Sequence, residues 1–213
     1  MSSTASMWEL ERAAWERGYK LVCGCDEAGA GPLAGPVYAA AVILPEGLSL
    51  TWLDDSKRVS AKRREVLFDQ IKEKAVAWAV ASVPPEEIDR IDILNARMKA
   101  MQDAIIALAP AADYVLIDGN RDHGSQFAVT SPHETVVKGD SRSANIAAAS
   151  ILAKVSRDRF MMEMAEKYPA YRFDKHKGYG TKLHYELLDA HGPCPIHRKS
   201  FLKKWEASRD GRA

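Results

Sequence analysis

Four carboxylates stand where acidic side chains could act together on a metal ion. Asp26 and Glu27 follow one apolar run, Asp118 ends another, and Asp140 precedes a long helical pattern. Carboxylates that meet repel one another and raise each other's pKa unless a cation offsets the charge. All-oxygen ligands suit Mg²⁺ or Mn²⁺, and two such ions about 4 Å apart stabilise a phosphoryl transfer. Taken singly, Asp118 fits a turn and Asp140 a helix start, so the prediction of metal-dependent phosphate chemistry depends on the whole set.

The elements that position these acids follow from hydrophobic periodicity. We predict helices at 6–17, 60–74, 86–108 and 141–168, and strands at 19–26, 36–45, 75–83, 113–119, 126–131 and, shorter, 134–140. Strands that end at one edge of a sheet would bring Asp26 and Asp118 together, and the dipole of the last helix favours an ionised Asp140. Strands followed by strand–helix alternation indicate the α/β class, with a mixed sheet flanked by helices.

Composition excludes several classes of protein. The chain has 213 residues, of which 46% are hydrophobic and 28% charged, as in an ordinary globular protein. The longest apolar run is too short to cross a bilayer, and the first residues lack the pattern of a signal peptide. Three cysteines form no disulfide framework, and a cytoplasmic location is expected. The sequence CGC at 23–25 could suggest a metal site, but small buried strand residues explain it better.

Basic residues are concentrated near the C-terminal end. Residues 167–204 contain nine Lys or Arg against three acids, although the net charge of the chain is only +1. Such a bias fits either a phosphate-binding surface or a solvated basic face. We predict an N-terminal helical extension at 1–17, a main α/β domain at 18–168 and a small second lobe at 169–213.

Six motifs occur along the chain in the order CGCDEAGAGPLAGPV, LDDSK, LIDG, VVKGDSRSANIAAASILAKVSRDR, the YP to KGYGT segment and GPCPIHRKSF. In these motifs and their order the chain resembles ribonuclease HII, the type 2 ribonuclease H. The resemblance implies that 18–168 is a ribonuclease H-like catalytic domain and that 169–213 is a small helical substrate-binding lobe. It also implies Mg²⁺- or Mn²⁺-dependent cleavage of RNA in RNA–DNA hybrids. DNA duplexes would be nicked 5′ of an embedded ribonucleotide, leaving 5′-phosphate and 3′-hydroxyl ends.

The resemblance also assigns roles to residues. It implies that the four catalytic and metal-binding carboxylates are Asp26, Glu27, Asp118 and Asp140. It implies that Tyr179 packs on the sugar at the junction of ribose and deoxyribose, where the 2′-hydroxyl separates RNA from DNA. Phosphate contacts are expected from Lys57, Lys177 and Arg198. Asp158 lies roughly 27 Å along the helix from Asp140, so we expect a structural role for it. We expect a monomer, and no motif for a sliding clamp is evident.

The chain departs from the family pattern at one residue of the glycine-rich turn. Where the family has Gly-Arg-Gly, this chain has Gly29, Ala30 and Gly31. The glycines still permit close approach of the backbone to a phosphate or ribose, but the guanidinium is absent, so weakened cleavage is expected. Two other functions stay open at this point, a ribonuclease H-like nuclease or resolvase acting on DNA structures, and a nucleic-acid-binding module that does not cleave.

Overall fold

The computed structural model describes residues 7–53, 56, 59–120 and 124–210, and these form five strands and eight helices. The strands are β1 (Val22–Ala28), β2 (Val37–Ile43), β3 (Ala77–Val83), β4 (Tyr114–Asp118) and β5 (His133–Val136). The helices are α1 (Glu9–Glu16), α2 (Ala61–Lys74), α3 (Pro85–Ile91), α4 (Ile93–Ile106), α5 (Ala144–Lys167), α6 (Phe173–His176), α7 (Lys182–His191) and α8 (Lys199–Asp210). Within these residues, no helix is both long and apolar enough to cross a membrane.

The five strands form one mixed sheet in the order β3-β2-β1-β4-β5. The β1–β2 and β2–β3 pairs are antiparallel, whereas β1–β4 and β4–β5 are parallel. The carboxyl ends of β1, β4 and β5 therefore lie at the same edge of the sheet. The predicted mixed sheet flanked by helices is confirmed.

Helices cover both faces of the sheet, and the alternation of strand side chains decides which residue meets which helix. Cys23 and Cys25 of β1 lie in the apolar cluster that contains the buried face of α4. On the other face, α5 comes so close to β1 that a side chain at Gly24 would collide with the backbone of Asn145 and Ile146. The start of α5 is thus held directly against the strand that carries Asp26.

A buried hydrogen-bond network fixes the start of α5. The Ser143 hydroxyl caps the helix by accepting from the Ile146 N–H and donates to Glu11 of α1 at 2.6 Å. The Asn145 side chain donates to the Val22 carbonyl and accepts from the Leu44 N–H. Strand β1, the residue that follows β2, and α1 all bond to this helix end. The turn that precedes the helix therefore has little freedom.

Two sequence-based predictions of secondary structure are wrong. The helix expected at 86–108 is two helices, because Asp92 adopts a positive φ of 68° and its carboxylate caps α4 through the Asn95 N–H. Residues 126–131 form no strand, and β5 begins only at His133. In that segment Val129 is buried in the same apolar cluster as Met98 and Met101 of α4. This apolar residue therefore packs into the core without belonging to a strand.

The C-terminal segment packs on the far part of α5. An apolar cluster joins this segment to α5 and to the loop of residues 29–36 that follows β1, the glycine-rich loop. Its members include Phe173, Leu188 and Leu202 of the C-terminal segment, Met161 of α5, and Leu33 and Ala34 of the loop. This contact brings the basic C-terminal region beside the end of β1. The division into 1–17, 18–168 and 169–213 stays a prediction.

Candidate active site

Asp26 and Asp118 lie side by side at the ends of two parallel strands. The β1–β4 register pairs Cys25 with Ile117, so the two acids are the next residues along each strand. Leu116 packs against α5, and side chains two residues apart on a strand share a face. Both carboxylates therefore point to the α5 side of the sheet.

Asp140 enters from the turn before α5. Gly139–Ser141 form a short 3₁₀ turn, and the Gly139 N–H donates to Asp118 Oδ1 at 2.7 Å. Strand β4 thereby holds the turn that carries Asp140. The Asp140 carboxylate also contributes to the raised pKa of Asp26, after burial and the carboxylates of Glu27 and Asp118.

Glu27 points to the opposite side of the sheet from Asp26, because adjacent strand residues face opposite ways. Its Oε1 forms an ion pair of 2.6 Å with Nη2 of Arg97 on α4. The Glu27 side chain is 13% exposed and that of Arg97 35% exposed. Asp26 and Glu27 are adjacent in the sequence, but the structure turns their carboxylates to opposite sides of the sheet.

The acids carry an electrostatic cost that a cation would relieve. Burial raises the pKa of Asp26 well above its usual range, and the carboxylates of Glu27, Asp118 and Asp140 raise it further. Burial also raises the pKa of Glu27, which the Arg97 guanidinium partly offsets. Glu27 Oε2 is buried and has no hydrogen-bond partner among the described residues.

These features fit a divalent metal ion in charge and in donor chemistry, because hard cations prefer carboxylate oxygens. However, within residues 7–53, 56, 59–120 and 124–210 no three Asp, Glu, His or Cys side chains are close enough to hold an ion as they stand. The direction of Glu27 is one reason, because its position on β1 turns that carboxylate away from the α5 side and towards Arg97.

Two buried arginines hold the loop of residues 29–36 that follows β1. The fully buried Arg198 donates to the carbonyls of Gly29, Ala30 and Gly35 at 2.6, 2.9 and 2.8 Å. Burial lowers the pKa of Arg198 to about 9, so the guanidinium is charged at neutral pH. It faces the loop rather than solvent, and its predicted contact with a phosphate stays a prediction.

Arg157 of α5 holds the same loop from the other side. It donates to the Ala34 and Pro36 carbonyls, both at 3.1 Å. A side chain at Gly29, where φ is +93°, would collide with the Arg157 guanidinium. Glycine is therefore required at this position both for its backbone conformation and for the close approach of Arg157.

Tyr179 lies next to this loop. The Leu33 N–H donates to the Gly178 carbonyl at 2.8 Å, so the loop and the KGYGT turn are joined through the backbone. Tyr179 is 42% exposed, and the centre of its ring lies 5.6 Å from the Arg157 guanidinium carbon. An exposed ring beside the glycine-rich loop is suitably placed to meet a sugar, although that role stays a prediction.

Buried histidines support the Tyr179 turn. His184 Nδ1 lies 2.9 Å from the Tyr179 carbonyl, and its Nε2 lies 3.0 Å from His197 Nε2. Burial lowers the pKa of both rings to about 4, so they are neutral at physiological pH. His197 Nδ1 accepts from the Cys194 N–H, and the hydrogen bonds then run from His197 to His184 and on to the Tyr179 carbonyl.

Lys177 and Asp158 each contact a residue that is near in the sequence. Lys177 donates to the Asp174 carbonyl at 2.6 Å, and burial lowers the pKa of its amine. Lys57 is outside the described residues. Asp158 pairs with Lys154 at 2.6 Å, which agrees with its expected structural role. The interpretation of Cys23 as a small buried strand residue is confirmed, because it lies in the apolar core.

The contacts of Arg97 and Arg157 were not predicted from the sequence. A charged residue within a helical pattern is usually solvated, and the partners of Arg157 lie 121 and 123 residues away along the chain. For Arg97 a signal existed, since it interrupts the apolar stripe of Leu94, Met98 and Met101.

Comparison with known proteins identifies the family. Residues 23–204 match the sequence model of the family described as Ribonuclease HII. This chain belongs to the ribonuclease HII family. A ribonuclease HII from Endomicrobium trichonymphae is 53% identical over 198 residues, which cover 92% of each chain. The prediction that this chain is an endoribonuclease of the ribonuclease HII family is thereby confirmed, and so is the predicted ribonuclease H-like fold.

Solved structures share the ribonuclease HII fold. Ribonuclease H2 from Pyrococcus horikoshii OT3 superimposes with a TM-score of 0.71 at 24% identity, covering 89% of this chain and 99% of that chain. Bst-RNase HIII, solved in complex with Mn²⁺, has a TM-score of 0.57 at 20% identity and covers 81% of this chain and 63% of that one. At these identities the likeness concerns the fold alone.

Proposed function

We propose that this protein is a metal-dependent endoribonuclease that cleaves RNA in RNA–DNA hybrids and nicks DNA duplexes 5′ of an embedded ribonucleotide. The products would carry 5′-phosphate and 3′-hydroxyl ends. The observation that carries the proposal is the position of Asp26 and Asp118 at adjacent strand ends, directly before the loop that contacts the Tyr179 turn. Family membership supports the same activity.

Mg²⁺ or Mn²⁺ would be held by Asp26, Glu27, Asp118 and Asp140. Two features favour a bound cation, the raised pKa of Asp26 and the buried Glu27 oxygen without a hydrogen-bond partner among the described residues. A bound divalent ion would activate water and stabilise the charge on the phosphate. Asp140 would orient the attacking water, since the Gly139 N–H bond to Asp118 keeps its turn beside β4.

Substrate selection would come from the loop and the Tyr179 turn. The carbonyls of Gly29 and Ala30 are bonded to Arg198, which fixes the backbone that approaches a phosphate or ribose. The exposed Tyr179 ring would pack on the sugar at the junction and respond to the 2′-hydroxyl. Ala30 contributes no charge, so we expect cleavage to be weakened relative to a Gly-Arg-Gly loop.

A metal titration with a labelled RNA–DNA hybrid tests this function. The wild-type protein should release product only with Mg²⁺ or Mn²⁺ present. Asp118→Asn should cleave at least about a hundredfold more slowly, because a metal-binding charge is lost. It should still bind the hybrid, since the amide oxygen can accept the Gly139 N–H bond.

Two outcomes would contradict the proposal. A protein that binds nucleic acid without cleaving gives no product at any metal concentration. A nuclease for DNA structures cuts branched all-DNA substrates in preference to the hybrid. Turnover by Asp118→Asn at the wild-type rate would refute only the metal-binding role of Asp118 and not the proposed activity.

A further inference from the structure

A cavity of about 660 Å³ lies between the glycine-rich loop and the start of α4. The loop contributes Ala30 and Gly31, and the end of β4 contributes Asp118, Gly119 and Asn120. The other walls consist of Ile93, Leu94, Arg97, Met98 and Met101 of α4 and Phe201 of α8. Arg97 is the one cationic side chain among the described residues that line this cavity. It is placed there because positions 94, 97, 98 and 101 share one face of the helix.

The ion pair of Arg97 leaves hydrogen-bonding capacity unused. The contact joins Nη2 to Glu27 Oε1 at 2.6 Å. Arg97 Nε and Glu27 Oε2 are both buried and lack a hydrogen-bond partner within the described part of the chain. Buried donors and acceptors without partners are costly, so a ligand that satisfies them binds more favourably. Arg97 therefore suits an additional anionic partner and Glu27 an additional cationic one.

A nucleic acid with its divalent ions would supply both partners. The guanidinium matches a phosphate in geometry and charge, and Arg97 and Ala30 line the same cavity. Arg198 is less suited to this purpose, because three of its five N–H groups already donate to the carbonyls of Gly29, Ala30 and Gly35.

We propose that Arg97 binds a backbone phosphate of the substrate and so supplies from α4 the guanidinium that is absent at position 30. Glu27 orients this guanidinium, and a divalent ion bound by Glu27 would compete with Arg97 for the carboxylate. The inference rests on the proposed function, since it names a binding residue for that same substrate. It also predicts that the loss caused by Ala30 is smaller than the loop sequence alone indicates.

Binding of a labelled RNA–DNA hybrid in EDTA, measured by fluorescence anisotropy across a salt series, tests Arg97 without cleavage. Arg97→Gln should weaken binding about tenfold, equivalent to about 1.4 kcal/mol, and lower the salt slope by about one. The matched control is Lys99→Gln, which removes the same charge from the same helix. Lys99 pairs with Asp103 at 2.6 Å and is absent from the cavity lining, so its loss should change binding by less than about twofold.

A double-substitution experiment asks whether positions 30 and 97 serve the same purpose. Ala30→Arg should strengthen binding about threefold in the wild-type background and at least about tenfold with Arg97→Gln, because the two guanidiniums replace one another. Equal gains in both backgrounds would contradict the inference, and so would equal losses in Arg97→Gln and Lys99→Gln.

Controls separate this inference from other failures. Circular dichroism melting checks that each variant folds. If Arg97→Gln does not fold, Arg97→Lys supplies the comparison, because it keeps the charge but lacks the second donor group of a guanidinium, and its binding should fall about threefold. A wild-type protein that neither binds nor cleaves the hybrid would refute the proposed function itself. A wild-type protein that cleaves it, with unaltered binding in both Arg97 variants, would refute only the role of Arg97.

Discussion

Arg198→Lys is the sharpest test of how the glycine-rich loop is held. The guanidinium is fully buried and donates to the carbonyls of Gly29, Ala30 and Gly35 over 2.6–2.9 Å. Lysine preserves the charge but presents a single ammonium group in place of a planar fork. We expect it to reach one of the three carbonyls and to leave about two without a donor.

The expected loss of stability follows from those two carbonyls. Each buried acceptor without a partner costs about 1–3 kcal/mol, so two of them should lower the free energy of unfolding by about 2–6 kcal/mol. For a chain of this size each kcal/mol lowers Tm by about 2–4 °C, and a loss of about 3 kcal/mol would lower it by roughly 6–12 °C. Activity should also fall at temperatures where the variant stays folded, because Gly29 and Ala30 lose their support.

Urea unfolding and cleavage of a labelled hybrid should be measured on the same preparations. Arg159→Lys is the control, since Arg159 is exposed and pairs with Glu65 at the surface, where such pairs contribute less than about 1 kcal/mol. If Arg198→Lys loses less than about 1 kcal/mol and cleaves like the control, the buried guanidinium does not hold the loop.

Two further predictions concern the acids and the tyrosine. Burial and neighbouring carboxylates raise the pKa of Asp26, so the folded protein binds the Asp26 proton more tightly than the unfolded chain does. This stabilisation is fully present below the unfolded pKa and is lost as pH rises through the folded pKa. Asp26→Asn should therefore be more stable than wild type in EDTA at about pH 8 and lose that advantage towards about pH 4; equal urea midpoints at both pH values would contradict this. Tyr179→Ala should reduce cleavage at a lone ribonucleotide more than binding to all-DNA duplex, because phosphate contacts supply most sequence-independent affinity. Equal losses on both measures would mean that Tyr179 only packs.

Hydrophobic patterns predicted much of the fold because they reflect burial directly. The apolar runs around Val22–Ala28, Val37–Ile43, Ala77–Val83 and Tyr114–Asp118 all proved to be strands. The break at Asp92 was missed because apolar spacing continues through it and neither glycine nor proline marks it. A positive φ at an aspartate depends on the capping of the following helix, which periodicity does not reveal.

The acids were found from sequence because each lies at the end of an element, but their directions were not. The opposite directions of Asp26 and Glu27 follow from alternation along β1, so this part of the geometry is predictable once the strand is assigned. The roles of Arg157 and Arg198 could not be predicted, because their acceptors are carbonyls between 121 and 169 residues away along the chain. Such contacts depend on the tertiary structure.

Digestion of a DNA duplex that contains one ribonucleotide tests the central claim most directly. With Mg²⁺ or Mn²⁺, the wild-type protein should nick the strand only on the 5′ side of that ribonucleotide and leave 5′-phosphate and 3′-hydroxyl ends. An identical duplex made entirely of DNA should stay intact. No nick at any protein or metal concentration, or equal cutting of the all-DNA duplex, would contradict the account.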